Sequence, residues 1–219
     1  GREELMDHSG ATDGSVITSH TCDGRYRTWM SIEPAMKAEK GRKHTVRRGT
    51  MQTRDANDTT GVRNMGTIPM GDATYAYLNT AYPCLNEKQL AIGETTFGGP
   101  DILENKEGMF TIEELERVAL MRCSTARQAK NLIAKLVEKY GYGDGGECIT
   151  IADKKEVWQM EIVGAGPDKI GGLWAAQRVP DDHIAVSANI PRIGRLQRMN
   201  PEYFMCSDSI EAVAKRYNL

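Results

Sequence analysis

The chain has 219 residues, 28 Lys or Arg against 30 Asp or Glu, a formal net charge of -2, and 40% apolar and 26% charged residues. These are the proportions of a globular protein, and the charge balance excludes the sustained positive field of a non-specific nucleic-acid binder. No run nears the ~20 apolar residues of a membrane span and no basic-then-apolar export signal opens the chain, so neither nucleic acid nor membrane is an expected partner.

The five cysteines, Cys22, Cys84, Cys123, Cys148 and Cys206, form no CxxC pair and are odd in number. Neither a zinc site nor a complete disulfide framework is expected from them.

In chain order, Asp13-Gly14 is a tight turn feeding a β-prone run, which predicts a strand over Ser15 to His20. Arg25 to Ile32 is the predicted hairpin partner. Lys37 to Arg48 holds six Lys or Arg around His44 with no aromatic residue for base stacking, and reads as a solvated loop or edge hairpin. Thr74 to Thr80 and Gln89 to Thr96 are rich in β-formers and flank the turn-like Pro83 to Glu87, predicting a hairpin or adjacent strands.

Thr111-Ile112-Glu113-Glu114 has the form of a capping box, and Ile112, Leu115, Val118 and Ala119 follow at helical spacing. A second helix is predicted from Ser124 or Thr125, with Ala129, Leu132, Ile133, Leu136 and Val137 on one face, ending at Gly141. Beyond it the pattern becomes short β-prone runs, Glu147 to Ala152, Val157 to Val163, Leu173 to Arg178 and Ile184 to Ala188, expected to form a meander. A last amphipathic helix spans Ser209 to Tyr217. Strands, two helices and further strands argue for an α+β fold with a largely antiparallel sheet. Trp158 and Trp174 are expected in the core.

Four segments resemble the dipeptidase A and secernin family, and more distantly bile salt hydrolases and penicillin V acylases. They are ATDGS at Ala11 to Ser15, LNEKQLAIG at Leu85 to Gly93, IADKKEVWQMEI at Ile151 to Ile162, and WAAQRVPDDHIAVSANIP at Trp174 to Pro191. The resemblance implies a single N-terminal-nucleophile hydrolase domain over residues 1–219, an αββα sandwich of antiparallel sheets. It also implies a first residue that is cysteine, whose thiol attacks while its own α-amine acts as base. An α-amine titrates near pH ~8, so this arrangement needs no histidine, metal or organic cofactor.

The implied activity is cysteine-type dipeptidase hydrolysis of a small peptide or amide substrate through an acyl-enzyme. The cysteine belongs about a dozen residues before the Asp-Gly-Ser turn, next to Gly1, where the sequence instead reads GREELMDHS. The alternative is therefore a catalytically silent homologue or fragment that keeps a binding or assembly role. Family members are longer, so the sandwich is expected to be incomplete at its C-terminus, completed by further chain or by a homo-oligomer. Localisation is not legible from the sequence.

The resemblance also assigns site positions. Asp23 would hold the nucleophile's amine, its bland reading being a turn aspartate before Gly24. His20, where distant relatives have arginine, would contact substrate. Asn189 would supply an amide to the tetrahedral oxyanion, and Thr95, in the Glu94 to Thr96 segment, a second contact. Cys22 is a poor substitute nucleophile because the adjacent Asp23 carboxylate disfavours a thiolate. Asn86-Glu87 reads as the turn presenting the following strand.

Overall fold

The computed structural model describes residues 4–7, as main chain only, and residues 14–22, 24–37, 40–71 and 73–219. The chain begins with β1 (Glu4–Asp7), β2 (Ile17–His20), β3 (Ser31–Glu33), β4 (Met36–Lys37) and β5 (Lys43–Arg48). It continues through β6 (Arg63–Pro69), β7 (Ala73–Thr74), β8 (Tyr77–Asn79), β9 (Leu85–Asn86) and β10 (Ala91–Thr96) to helices α1 (Ile112–Arg122) and α2 (Ala126–Tyr140). The second half adds β11 (Gly146–Ala152), β12 (Val157–Gly164), β13 (Gly172–Val179), β14 (Ile184–Ser187), β15 (Phe204–Cys206) and α3 (Ile210–Tyr217).

The main sheet has the order β15-β13-β12-β11-β10-β9-β8-β3, and its ladders are antiparallel. Side chains alternate between its faces. One face presents Ile92, Ile149, Ile151, Trp158, Met160 and Ile162 to α1 and α2, whose Leu115, Val118, Ile133 and Val137 complete a buried core. On the opposite face Ala152, Val157 and Val179 pack against Val16, just before β2, and Ala185 of β14, in a three-stranded sheet of order β14-β1-β2. Helices, large sheet and small sheet thus form successive layers of a mixed α+β structure.

Several expectations need correction. The Arg25 to Ile32 run is not the partner of β2. β1 occupies that edge, with Glu4 opposite His20 and Asp7 opposite Ile17, while β3 pairs with β8 instead. The short segment ELMD, with charged residues at both ends, forms a strand paired on both sides, because the ladders use main-chain groups that every residue carries.

Ile184 to Ala188 does not extend the meander. The Pro180 to Asp182 turn carries the chain to the small sheet, and the free edge of β13 is taken by β15, a strand the sequence reading missed. Thr111 is the N-cap residue of α1, yet it makes no side-chain cap bond. Glu114 is drawn elsewhere, its oxygens held by Arg117 Nε at 3.0 Å and His44 Nε2 at 2.5 Å.

Other elements fall as expected. Thr125 caps α2 by accepting from Gln128 N at 3.2 Å, and Gly141 ends it at φ 85. From Lys43 to Arg48 the basic stretch forms a hairpin, β5 with β6, whereas Lys37 ends β4 and pairs with β7. Trp158 and Trp174 are buried. Asp13 of the first turn lies outside the described residues.

Candidate functional site

β10 lies in the large sheet, and its Glu94 to Thr96 segment gathers residues remote in sequence. β9 pairs with β10 only at Ala91, so past Ile92 the edge of β10 turned away from β11 is served by side chains. His20 Nε2, at the end of β2, lies 2.5 Å from the Glu94 carbonyl oxygen. Asn189 Nδ2 donates to the Thr96 carbonyl at 2.7 Å. Between these, the Thr95 hydroxyl faces the small sheet, within hydrogen-bond distance of Ser187 Oγ at 3.2 Å and of the Cys148 carbonyl at 3.3 Å.

The strand register sets where these groups meet. Glu4 of β1 stands opposite His20 on one side and Ser187 on the other. The head of β1 is therefore flanked by the strand ends that carry His20 and Asn189. Asn189 follows β14 at φ 50, a left-handed conformation that asparagine tolerates better than most residues. Its amide orientation is fixed by the bond to Thr96.

His20, Thr95 and Asn189 thus converge on one strand segment. Asp23 and Gly1 lie outside the described residues. Cys22 is exposed and, like the other cysteines, in no disulfide. No group of three His, Cys, Asp or Glu side chains could hold a metal ion among the described residues.

Behind β10, on its helix-facing side, lies a layer of carboxylates that sequence reasoning did not single out as a group. Glu94, Glu113, Glu116 and Glu147 are buried, and Glu147 accepts from the Thr96 hydroxyl at 2.8 Å. Burial, reinforced by Glu94 and Glu147, pushes Glu116 well above the usual carboxylate range. Burial, then Glu94, does the same to Glu147. Neither Glu116 oxygen has a hydrogen-bond partner among the described residues. A protonated carboxyl is the form such surroundings favour. The signal was present in the sequence, since Glu116 falls between Ile112 and Ala119 on the apolar stripe of α1, and Glu147 shares the face of Ile149 and Ile151.

Asn86 has a structural task. Its Nδ2 donates to the carbonyls of Leu120 and Cys123, both at 2.8 Å, and its Oδ1 accepts from Lys88 N and Leu90 N at 3.0 and 3.1 Å. It ties the last turn of α1 to the turn that launches β10.

The family model for peptidase family C69 matches residues 5–219. The chain belongs to peptidase family C69. It is similar to a probable dipeptidase of Latilactobacillus sakei, 29% identical over 161 residues that cover 66% of this chain and 32% of that protein. A probable dipeptidase B of Streptococcus pyogenes serotype M1 is 35% identical over 99 residues, 45% of this chain and 18% of the relative. A probable dipeptidase of Salmonella dublin is 31% identical over 109 residues, 50% of this chain and 24% of the relative. The C69 chain therefore spans about a third or less of the curated relatives it matches.

Proposed function

We propose that this chain is part of a cysteine-type dipeptidase that hydrolyses small peptide or amide bonds through an acyl-enzyme, on an N-terminal-nucleophile αββα sandwich. The observation that carries the reading is the convergence of His20, Thr95 and Asn189 around the head of β1 in a chain matched by peptidase family C69. The relatives named probable dipeptidase give the substrate class.

In the proposed reaction a cysteine at the head of β1 loses its thiol proton to its own α-amine, and the thiolate attacks the peptide carbonyl. The resulting oxyanion accepts from the Asn189 amide, whose orientation the Thr96 carbonyl fixes; such a donor is worth about 3 kcal/mol. The ammonium then protonates the departing amine, and water resolves the thioester. His20, beside Glu94, would contact the substrate's polar groups, Thr95 would support the oxyanion segment, and Asp23 would steady the ammonium. The reaction needs no cofactor and no metal.

The second reading is a catalytically silent homologue that keeps a binding or assembly role. Dipeptide hydrolysis by this 219-residue chain and by a full-length form with a free N-terminal cysteine separates the two. Turnover by the cysteine form alone supports the proposed mechanism. Turnover by neither supports the silent reading, and turnover by the 219-residue chain that Cys22→Ala abolishes would assign the nucleophile to Cys22.

A further inference from the structure

A cavity of about 690 Å³ lies under the β5–β6 hairpin, lined also by α1 and β8. Its volume is that of small-molecule sites. Its charges are unbalanced. Among the carboxylates lining it, Glu114 is shared by Arg117 and His44, and Asp58 is paired with Arg54 at 3.0 Å. Glu33 accepts from Ser31 Oγ at 2.8 Å and from Asn79 Nδ2 at 3.1 Å. Arg27, Arg42, Lys43 and Arg47 also line the cavity, and none of them forms an ion pair among the described residues.

Arg27 and Arg117 are the inner pair. Both donate to the same acceptor, Asn79 Oδ1, at 2.6 and 2.9 Å. Arg27 is stacked 3.6 Å over the Trp29 ring and otherwise reaches only the Thr80 carbonyl, so its guanidinium has neutral acceptors alone. Burial, then Arg117, lowers Arg27 to about 10. A half-buried guanidinium facing a second one, with Glu33 nearby but no carboxylate in an ion pair with it, leaves positive charge in excess in the cavity of a chain whose net charge is -2. The planar fork of arginine matches carboxylate and phosphate oxygens.

We infer that the cavity between the β5–β6 hairpin, α1 and β8 is a binding site for a small anion bearing a carboxylate or phosphate group, held by Arg27 with Arg117 beside it and drawn in by Arg42, Lys43 and Arg47 at the rim. The site is separate from the β10 segment and does not rest on the proposed peptidase chemistry. It also gives the basic residues Arg42, Lys43 and Arg47 a task.

Trp29 reports occupancy, since its ring lies against Arg27 while Trp158 and Trp174 are buried in the core. The protein is titrated with succinate and with inorganic phosphate, following the fluorescence that Trp29→Phe removes, with choline chloride at equal ionic strength as control. A saturable response to either anion is expected, and the one that binds identifies the carboxylate or the phosphate source. Arg27→Gln should weaken binding at least about tenfold, the cost of one charge-assisted bond. Because Arg27 also braces Asn79, the exposed pair Arg42→Gln/Lys43→Gln provides a variant with little folding risk, expected to weaken binding at least about twofold and flatten its salt dependence. No saturable response to either anion, an equal response to choline chloride, or unchanged affinity in a folded variant of either kind would overturn the inference.

Discussion

The Thr95 hydroxyl donates to the Ser187 hydroxyl at 3.2 Å, joining β10 of the large sheet to β14 of the small one across 92 residues of chain. Both residues are fully buried. A buried hydroxyl pair left half-made costs about 1 to 3 kcal/mol. Thr95→Val and Ser187→Ala are each expected to destabilise the fold by that amount in denaturant unfolding. The double variant should cost less than the sum, since the two changes remove one shared bond.

Asn189 combines a left-handed backbone with an amide fixed on the Thr96 carbonyl. In the active full-length form, Asn189→Ala and Asn189→Gly are both expected to lower kcat by about 10²- to 10³-fold, the effect of losing one oxyanion donor. Glycine adopts φ 50 without strain, whereas alanine does not. Recovery of activity in the glycine variant alone would show that only the backbone turn matters.

Asn86 makes four side-chain bonds, three of them buried, that join α1 to the start of β10. Asn86→Ala strips partners from two helix-end carbonyls and two amides at once, and is expected to cost about 3 kcal/mol or more. Thermal unfolding of the purified variant measures this.

Glu116 on α1 faces Glu94 of β10, Glu147 of β11, Glu113 of its own helix and Cys84, and burial raises it well above its ordinary value. A folded-state pKa above the unfolded one means that the folded state holds the proton longer. Its contribution is fully present below the unfolded value of about 4.3 and is lost as pH rises from there toward the folded value. Glu116→Gln keeps the neutral shape and cannot ionise. The stability gained by this variant over the parent should therefore grow as pH rises above the ordinary carboxylate range, measured as the difference in unfolding midpoint. A difference independent of pH would place an ionised Glu116 in the fold.

Main-chain periodicity made much of this fold legible. The helical spacing of Ile112, Leu115, Val118 and Ala119 and the Gly141 stop located both central helices, and the alternating runs after Gly141 located β11 to β13. Sheet membership was not legible, because β14 carries the same kind of run as its neighbours and only the occupation of the β13 edge by β15 diverts it. Nor could a run as short and non-alternating as ELMD announce β1, whose pairing rests on main-chain groups.

At the site, the resemblance drew attention to His20, Thr95 and Asn189, which the fold brings to one segment, while local pattern alone gave a strand end, a β-former and a turn. Ser187 carried no signal beyond its place in a strand. The carboxylate layer behind β10 was readable as Glu116 and Glu147 on otherwise apolar faces, an inconsistency of pattern that marks a special site more often than a structural one.

The most direct measurement is mass spectrometry of the full-length form with a free N-terminal cysteine, quenched in acid during turnover of an activated dipeptide ester. An acyl group on that cysteine, absent when the α-amine is acetylated, is the expected result, because one residue supplies both nucleophile and base. Sustained turnover by the acetylated form, or an acyl group on Cys22 instead, would contradict it.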